Sequence, residues 1–301
     1  METVGIVSPG AMGSAVGAAY AAAGARVVAT VAERSERTRG LAEVAGLELV
    51  ADLDAVVAES ELVLSIVPPD QAATTAAAIA AAAGRTGARP VVSDWNAISP
   101  ATALKLVRIL ARAGLEFVDG SISGGPPRAD YTTRIYLSGP GAAALAGAAP
   151  AWLDARVVGD EVGLASAVKM CTASMYKGST AVLAHALLTA HEHGVLPHVL
   201  DDLHDSFPTQ IDRAARSVAV STTKAERFVG EMREIAATQQ SAGLPPELFE
   251  GIAKVYEALA ETPLAARAPE DVPEAPKLED VLEQLCGRED LNLQGPKPTG
   301  T

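Results

Sequence analysis

One turn near the amino terminus constrains the fold more than any other stretch. It lies in residues 4–14, whose sequence is VGIVSPGAMGS. The apolar residues before the turn are typical of a buried parallel strand, and the Ala-rich residues after it are typical of a helix. In that setting a G-x-G-x-x-G pattern binds a dinucleotide, with the pyrophosphate at the helix amino terminus. The three glycine positions fall on Ser8, Gly10 and Gly13, so Ser8 predicts an altered turn, and a strand-to-helix turn without a ligand remains the alternative.

Strand-like and helix-like patterns alternate over the first half of the chain. The strand candidates are residues 4–7, 26–30, 62–67, 90–93, 116–119 and 134–138, and the helix candidates are 11–23, 34–45, 70–83, 100–113 and 141–153. This alternation indicates βαβ units and a mostly parallel sheet. We therefore predict an α/β Rossmann-type dinucleotide-binding domain over residues 1–161.

Beyond that domain the patterns are helical only. The candidates are residues 163–193, 198–206, 209–218, 222–242 and 246–261. We predict an all-α domain over 162–262 and, over 263–301, a Pro-rich linker, a short helix at 277–286 and a flexible tail from Gly295. The helix at 163–193 would be about 45 Å long and apolar on several faces, so we expect a second copy to cover it in a homodimer.

Composition excludes several classes of function. The net charge of −13 argues against binding to nucleic acid or to an anionic membrane surface. The two cysteines, Cys171 and Cys286, form no metal-ligand spacing, and we expect no metal and no disulfide. Because a strand-like run begins at residue 4, we expect no signal peptide, and the Ala-rich runs are expected to be too short to span a membrane. We expect a cytoplasmic enzyme with a small-molecule substrate.

The end of the second strand predicts the cofactor. Glu33 stands 20 residues after Gly13, where an acid binds the adenosine ribose hydroxyls of NAD. Arg34, Ser35 and Arg37 follow, and they suit a ribose 2′-phosphate because a guanidinium binds phosphate through two charge-assisted bonds. We predict NADP, with NAD as the alternative. A solvated helix start with Ser35 as its N-cap would explain the same residues.

Three more motifs follow strands that should end at the same sheet edge. Val67-Pro68-Pro69 ends one strand, residues 94–100 (DWNAISP) end the next, and residues 119–127 (DGSISGGPP) end a third. Ligands bind at the carboxyl ends of strands in open parallel sheets. The glycines of the third motif offer backbone N–H groups that can hold a carboxylate or an oxyanion.

Together these motifs resemble the β-hydroxyacid dehydrogenases, the superfamily of 3-hydroxyisobutyrate and 6-phosphogluconate dehydrogenases. The matching elements are Met12-Gly13 after the first strand, Val67-Pro68, Asp94 to Pro100, Asp119 to Gly125, and Gly163 to Lys169. They cover residues 4–175. The helical half is similar to a subgroup with a phosphogluconate-dehydrogenase-like carboxyl-terminal domain, which extends the resemblance to about residue 260.

The resemblance implies a role for individual residues. Lys169 matches the catalytic lysine, and the substrate-binding positions are Ser123, Gly124, Gly125 and Arg233. The cofactor-binding positions implied by the resemblance and the fingerprint are Gly10, Ala11, Met12, Gly13, Val67, Pro68 and Asn96, with Arg34 and Ser35 at the ribose phosphate. Thr172 and Ala173 replace the asparagines usual after the lysine, so the substrate is expected to differ from those of the named relatives.

The residues around Lys169 support the same role independently. Ala165, Val168 and Met170 are small or apolar, and desolvation lowers the pKa of an ammonium toward the range useful for acid–base catalysis. Lys177 is interpreted as a surface lysine, and the five histidines form no metal motif.

We predict an NADP-dependent oxidoreductase that transfers a hydride between nicotinamide and a small hydroxy acid or its carbonyl form, with its active site between the two domains. The alternatives are an imine reductase, which usually has Asp or Tyr at the lysine position, and a non-catalytic NADP-binding protein.

Overall fold

A computed structural model describes residues 1–32 and 34–286 of the 301-residue chain. The chain divides into two compact units. The first unit is Met1–Ala173 with Arg233–Pro246, and the second is Ser174–Met232 with the chain from Glu247 onward. The predicted domain limits, 1–161, 162–262 and 263–301, follow changes in secondary structure instead, and they stay a prediction.

The first unit is built on one eight-stranded sheet. Its strands are β1 (Thr3–Val7), β2 (Arg26–Ala29), β3 (Glu48–Leu49), β4 (Leu62–Ser65), β5 (Val91–Asp94), β6 (Phe117–Ser123), β7 (Thr133–Ser138) and β8 (Leu153–Gly159), in the order β3-β2-β1-β4-β5-β6-β7-β8. Strands β1 to β6 pair in parallel, β7 is antiparallel to β6, and β8 is parallel to β7. This order confirms the predicted Rossmann-type class.

Helices cover both faces of this sheet. They are α1 (Ala11–Ala22), α2 (Glu36–Val44), α3 (Leu53–Glu59), α4 (Ala72–Thr86), α5 (Pro100–Ala111) and α6 (Ala142–Gly147). Successive residues of a strand point to opposite faces. Accordingly Leu64 packs in one apolar cluster with Tyr20, while Val63 packs in another with Ile79 and Leu106. Burial on both faces explains why three successive residues of β4, Leu62, Val63 and Leu64, are all apolar.

The remaining helices are α7 (Leu164–Glu192), α8 (Leu196–Ser206), α9 (Pro208–Asp212), α10 (Ala214–Thr222), α11 (Ala225–Ser241), α12 (Glu247–Ala260) and α13 (Leu278–Cys286). Helices α7 and α11 contribute residues to both units. In the second unit Leu187, Leu196 and Leu282 pack together, and the rings of Phe228 and Tyr256 meet edge to face at 5.3 Å. Large apolar side chains on the α7 part of this unit are nevertheless exposed: Met175 by 68%, Tyr176 by 72% and Val182 by 60%.

Several boundaries differ from the predicted ones. The helix expected over 141–153 ends at Gly147, because the chain from Leu153 forms the edge strand β8, whose Val157 and Val158 are exposed and lack the alternation of a half-buried strand. Strand β3 and helix α3 were not predicted, and the helix expected over 209–218 divides at Arg213 into α9 and α10.

The Pro-rich stretch 263–276 is packed rather than an open linker. It contains two short 3-10 turns, Pro263–Ala266 and Pro269–Asp271, and it buries Leu264 and Val272. Arg216 donates from Nη1 to the carbonyl of Pro273 at 2.6 Å. Helix α13 follows where a short helix was predicted, whereas the expected tail from Gly295 lies outside the described residues.

No helix among the described residues is both long enough and apolar enough to cross a membrane. Within the same residues, no three histidine, cysteine or carboxylate side chains converge as a metal site would require.

Candidate active site

The fingerprint turn has two glycines with different physical roles. Ser8 adopts a left-handed φ of +65°, the conformation that favours glycine, so the serine is strained at this position of the turn, and the predicted alteration of the turn stays a prediction. A Cβ on Gly13 would stand 2.5 Å from the Ser8 carbonyl oxygen, so Gly13 permits the close contact of α1 with the turn. A Cβ on Gly10 would meet no atom within 4 Å. The space beside Gly10 is therefore open, as the approach of a pyrophosphate requires.

The first turn of α1 also fits a phosphate. Gly10 is its N-cap, and no side chain of the described residues caps it, whereas Ser35, Asp52 and Ser99 cap α2, α3 and α5. The N–H groups at a helix start favour an anion. Ala11, Met12 and Gly13 supply those N–H groups, as the fingerprint predicts.

At the predicted ribose end, Ser35 acts as an N-cap. Its Oγ accepts from the Thr38 N–H at 3.3 Å, which matches the alternative interpretation of this residue. Arg34 is exposed, and its N–H donates to the Val31 carbonyl at 3.1 Å. Glu33, the candidate ribose acid, lies outside the described residues.

Asn96 joins the ends of β4 and β5. Its Oδ1 accepts from the Val67 N–H at 2.6 Å, and its Nδ2 donates to Asp94 Oδ2 at 2.7 Å. The Asn96 N–H donates to Asp94 Oδ1 at 3.1 Å. These bonds fix the Val67-Pro68 turn at the carboxyl edge of the sheet. Burial of the Asp94 carboxyl raises its pKa to about 7, against the lowering effect of its hydrogen bonds with Asn96 and Ser65.

Asp119 on β6 caps the start of α7. Its Oδ2 accepts from the N–H groups of Gly163 at 2.9 Å and Ser166 at 3.1 Å and from the Ser138 hydroxyl at 2.9 Å. Its Oδ1 accepts from the Ser166 hydroxyl at 2.7 Å. Burial raises the pKa of the Asp119 carboxyl, and the bonds from Ser166, Ser138 and Gly163 act in the opposite direction. The start of the helix that carries Lys169 is thus bonded to β6.

The side chain of Lys169 contacts the carboxyl end of β6. Its Nζ donates to the Ile122 carbonyl oxygen at 2.8 Å. Ile122 immediately precedes Ser123 and Gly124, so the lysine amine stands beside the loop predicted to hold the substrate. Thr172, at one of the positions where relatives carry asparagine, donates its hydroxyl back to the Val168 carbonyl at 3.0 Å.

Glu234 bonds the DWNAISP motif from α11, a contact that the sequence analysis did not predict. Its Oε2 accepts from the Ser99 N–H at 2.6 Å and from the Thr102 hydroxyl at 2.9 Å. The carboxylate lies at the amino terminus of α5, where the helix dipole favours it. Arg233 directly precedes Glu234 on α11. The bonds of Glu234 therefore anchor the backbone that carries the predicted substrate-binding arginine. No local sequence signal could have paired residues 132 or more positions apart.

The interpretation of Lys177 as a surface lysine is wrong. Its side chain is only 17% exposed and forms an ion pair with Glu231, whose side chain is 5% exposed. The Lys177 amine also lies 4.1 Å from the centroid of the Phe228 ring. A cation beside an aromatic face and a buried carboxylate contributes to the packing of the second unit.

The sheet order and the open glycine turn define a Rossmann-type dinucleotide-binding fold, and comparison with known proteins agrees. Residues 3–168 match the family described as the NAD binding domain of 6-phosphogluconate dehydrogenase. Residues 190–259 match a domain family of unknown function, DUF1932.

Individual relatives extend the comparison. An uncharacterized 28.5 kDa protein of Methanothermus fervidus is 25% identical over 76% of this chain and 87% of its own length. The 2-(hydroxymethyl)glutarate dehydrogenase of Eubacterium barkeri is 28% identical over 38% of each chain. The solved 3-hydroxyisobutyrate dehydrogenase of Mycobacterium tuberculosis, with L-serine, is 18% identical over 95% of this chain and 99% of its own, with a TM-score of 0.68.

An imine reductase from Myxococcus stipitatus, in complex with NADP+, shares the fold at 18% identity over 86% of this chain and 93% of its own, with a TM-score of 0.55. The chain belongs to the β-hydroxyacid dehydrogenase superfamily, with the NAD-binding domain of 6-phosphogluconate dehydrogenase, and is an NAD(P)-dependent oxidoreductase.

Proposed function

We propose that this protein is an NADP-dependent oxidoreductase acting on a small hydroxy acid or its carbonyl form, with Lys169 as the general acid and base. One observation carries the proposal. The Lys169 amine bonds the carbonyl of Ile122 directly before Ser123, Gly124 and Gly125, the loop whose N–H groups suit an acid group. An acid group on the glycines would thus bring its neighbouring hydroxyl toward the amine.

The proton and the hydride leave the substrate separately. A nicotinamide bound at the carboxyl edge of the sheet would supply the hydride acceptor in oxidation and the hydride donor in reduction. Lys169, in its neutral form, takes the hydroxyl proton as the carbonyl double bond forms, and in reduction it returns that proton to the oxygen. Asp119 and Ser121 act on Lys169 indirectly, because Asp119 caps α7 and the Ser121 hydroxyl donates to the Ala165 carbonyl at 2.8 Å.

The cofactor would be held at three places. The first turn of α1, at Gly10 to Gly13, would take the pyrophosphate. Arg34 and Ser35 would take the ribose 2′-phosphate, because Arg34 is exposed and free to turn its guanidinium toward it. Val67, Pro68 and Asn96 would lie along the nicotinamide half, at the edge fixed by the Asn96 bonds. Arg233 would bind the substrate together with the glycine loop.

We also propose a homodimer through the helical domain. Met175, Tyr176 and Val182 are exposed on α7, although large apolar side chains of this kind are usually covered. A second copy of the same helix would bury them by two-fold symmetry.

Two experiments test the function. Purified protein is screened with NADP+ against hydroxy acids and with NADPH against keto acids and against cyclic imines. Turnover of the imines alone would favour the imine reductase, whose fold this chain shares, and no turnover with tight NADPH binding would favour a non-catalytic protein. The Lys169→Ala variant is expected to lower kcat by roughly 10²–10⁴ while NADPH binding persists. Unchanged turnover would transfer the role to another group, with Tyr176 the first to test.

A further inference from the structure

A tight hairpin folds the chain back onto the glycine loop. The N–H of Arg128 donates to the Tyr131 carbonyl, and the N–H of Tyr131 donates to the Arg128 carbonyl, both at 3.0 Å. The Thr133 hydroxyl donates to the Gly125 carbonyl at 2.6 Å. Together these bonds return the side chain of Tyr131 to the loop that carries Gly124 and Gly125.

The Tyr131 hydroxyl lies directly against both glycines. The Gly125 N–H donates to it at 3.4 Å, a long hydrogen bond. A Cβ on Gly124 would stand 3.1 Å from the same oxygen, and Gly124 has a φ of +143° that side chains rarely adopt. The phenol oxygen therefore occupies the position on the Gly125 N–H that an oxygen of a bound acid would take.

The hydrogen-bond donors beside Gly125 determine which chemical group can bind there. A phenol that accepts from one N–H still has its own O–H to donate. The nearby Arg128 guanidinium lies 5.7 Å from the centroid of the Tyr131 ring, and the acid beside it, Asp130, is paired with Arg128 at 3.1 Å. The Gly125 N–H and the phenol O–H are thus two donors side by side, and the two oxygens of a carboxylate complement them.

We propose that Tyr131 is a substrate-binding residue that determines specificity for a free carboxylate. When the substrate binds, the Gly125 N–H donates to one carboxylate oxygen instead of to the phenol. The Tyr131 side chain is 41% exposed and able to turn, and its hydroxyl donates to the other carboxylate oxygen. This inference rests on the proposed function, since it takes the glycine loop as the place of the substrate acid. It adds that the phenol favours the acid over its esters and amides, because a hydrogen bond to a charged carboxylate oxygen is stronger than one to a neutral oxygen.

The test compares Tyr131→Phe with a matched control, Tyr136→Phe. Tyr136 lies on β7, outside the loop, and its hydroxyl interacts with Arg134. Binding of glycolate, glycerate and 3-hydroxypropionate, and of their methyl esters, is measured by calorimetry in the presence of NADP+. Tyr131→Phe should bind the acids roughly 10- to 100-fold more weakly, the range for a lost bond to a charged group, while ester affinities fall by roughly 10-fold or less and NADP+ affinity is unchanged. The kcat for any acid turned over should change less than 3-fold, and Tyr136→Phe should match the wild type.

Other results would contradict either the role of Tyr131 or the proposed function. Equal or tighter binding of the acids by Tyr131→Phe would show that the phenol only blocks the loop, and the assignment would be overturned. It would equally be overturned if the wild type bound none of the acids with NADP+ present. If the wild type binds acids but oxidises none, the proposed function fails, while the comparison of Tyr131→Phe with wild type still decides the role of the phenol.

Discussion

Asp119 holds Ser166 with both of its carboxylate oxygens: Oδ1 accepts from the Ser166 hydroxyl at 2.7 Å and Oδ2 from the Ser166 N–H at 3.1 Å. Ser166 lies in the first turn of α7, three residues before Lys169. The position of the lysine amine therefore depends on a carboxylate 50 residues earlier in the chain.

We expect Asp119→Asn to lower both stability and turnover. An amide has one acceptor oxygen where the carboxylate has two, so donors among Gly163, Ser166 and Ser138 lose a partner in a buried position. The loss should be about 1–3 kcal/mol in the free energy of unfolding, with a fall in kcat and little change in NADPH affinity. Ser166→Ala removes one of these bonds and should have a smaller effect. Wild-type kcat in a folded Asp119→Asn protein would contradict the positioning role.

Gly10 and Gly13 should respond differently to the same added methyl group. Gly10→Ala meets no atom, so its unfolding free energy should fall by no more than about 1 kcal/mol, the small loss expected because alanine is a poorer N-cap than glycine. Its NADPH affinity should fall 10-fold or more, because the methyl occupies the approach of the pyrophosphate. Gly13→Ala meets the Ser8 carbonyl and should destabilise the fold by about 1–3 kcal/mol. Urea unfolding and fluorescence titration separate the two effects, and normal NADPH binding by Gly10→Ala would refute the placement of the phosphates.

Asp94 should make stability depend on pH. Its pKa in the folded chain, about 7, is above the ordinary value of 3.8, so the folded state binds the proton more tightly than the unfolded state does. The stability this proton provides is fully present below pH 4 and is lost as pH rises from about 4 to about 7, at about 1.4 kcal/mol per pKa unit.

Other carboxylates also titrate in that range, so the quantity to measure is the difference in unfolding free energy between wild type and Asp94→Asn. Wild type and Asp94→Asn are unfolded in urea between pH 5 and pH 9. Wild type should lose stability relative to the variant from pH 5 to pH 7, and the difference should be constant above pH 8. Parallel curves throughout would mean that Asp94 does not titrate there.

Arg34→Ala should weaken NADPH binding and leave NADH binding unchanged. A lost charge-assisted bond to a 2′-phosphate is worth about 1.5–3 kcal/mol. Tryptophan or nicotinamide fluorescence titration with both cofactors measures the ratio of affinities. Equal affinities of the wild type for NADPH and NADH, or tighter NADH binding, would contradict the proposed NADP preference.

The proposed homodimer is best tested by substituting an exposed residue of α7. Leu187 is fully buried within the second unit, so an aspartate there would unfold the chain rather than separate two copies. Val182, 60% exposed, is suitable instead. Val182→Asp should convert a dimer into a folded monomer in light scattering at micromolar concentration. A wild type that is already an active monomer would exclude the proposed assembly.

The sequence pattern was sufficient to predict those elements that depend only on residues close together in the chain. The apolar run of β1, the glycine turn and the cap at Ser35 are each set by residues within a few positions of one another. Contacts over long separations were not predictable: Lys177 is covered because Glu231 and Phe228 lie against it, and Ser99 is bonded by Glu234. Strand β8 was missed because its valines face outward at the edge of the sheet, where the two-residue alternation disappears.

The reversal of β7 against β6 has a consequence for how this protein could diversify. Five residue pairs, from Asp119–Ser138 to Ser123–Arg134, hold the two strands in register, while the connection over residues 124–132 leaves and returns at one edge. Its length and side chains can change without moving the strands that hold the dinucleotide turn. An exchange of this nine-residue connection between homologous enzymes should therefore transfer substrate preference as a module, while cofactor preference stays with the recipient.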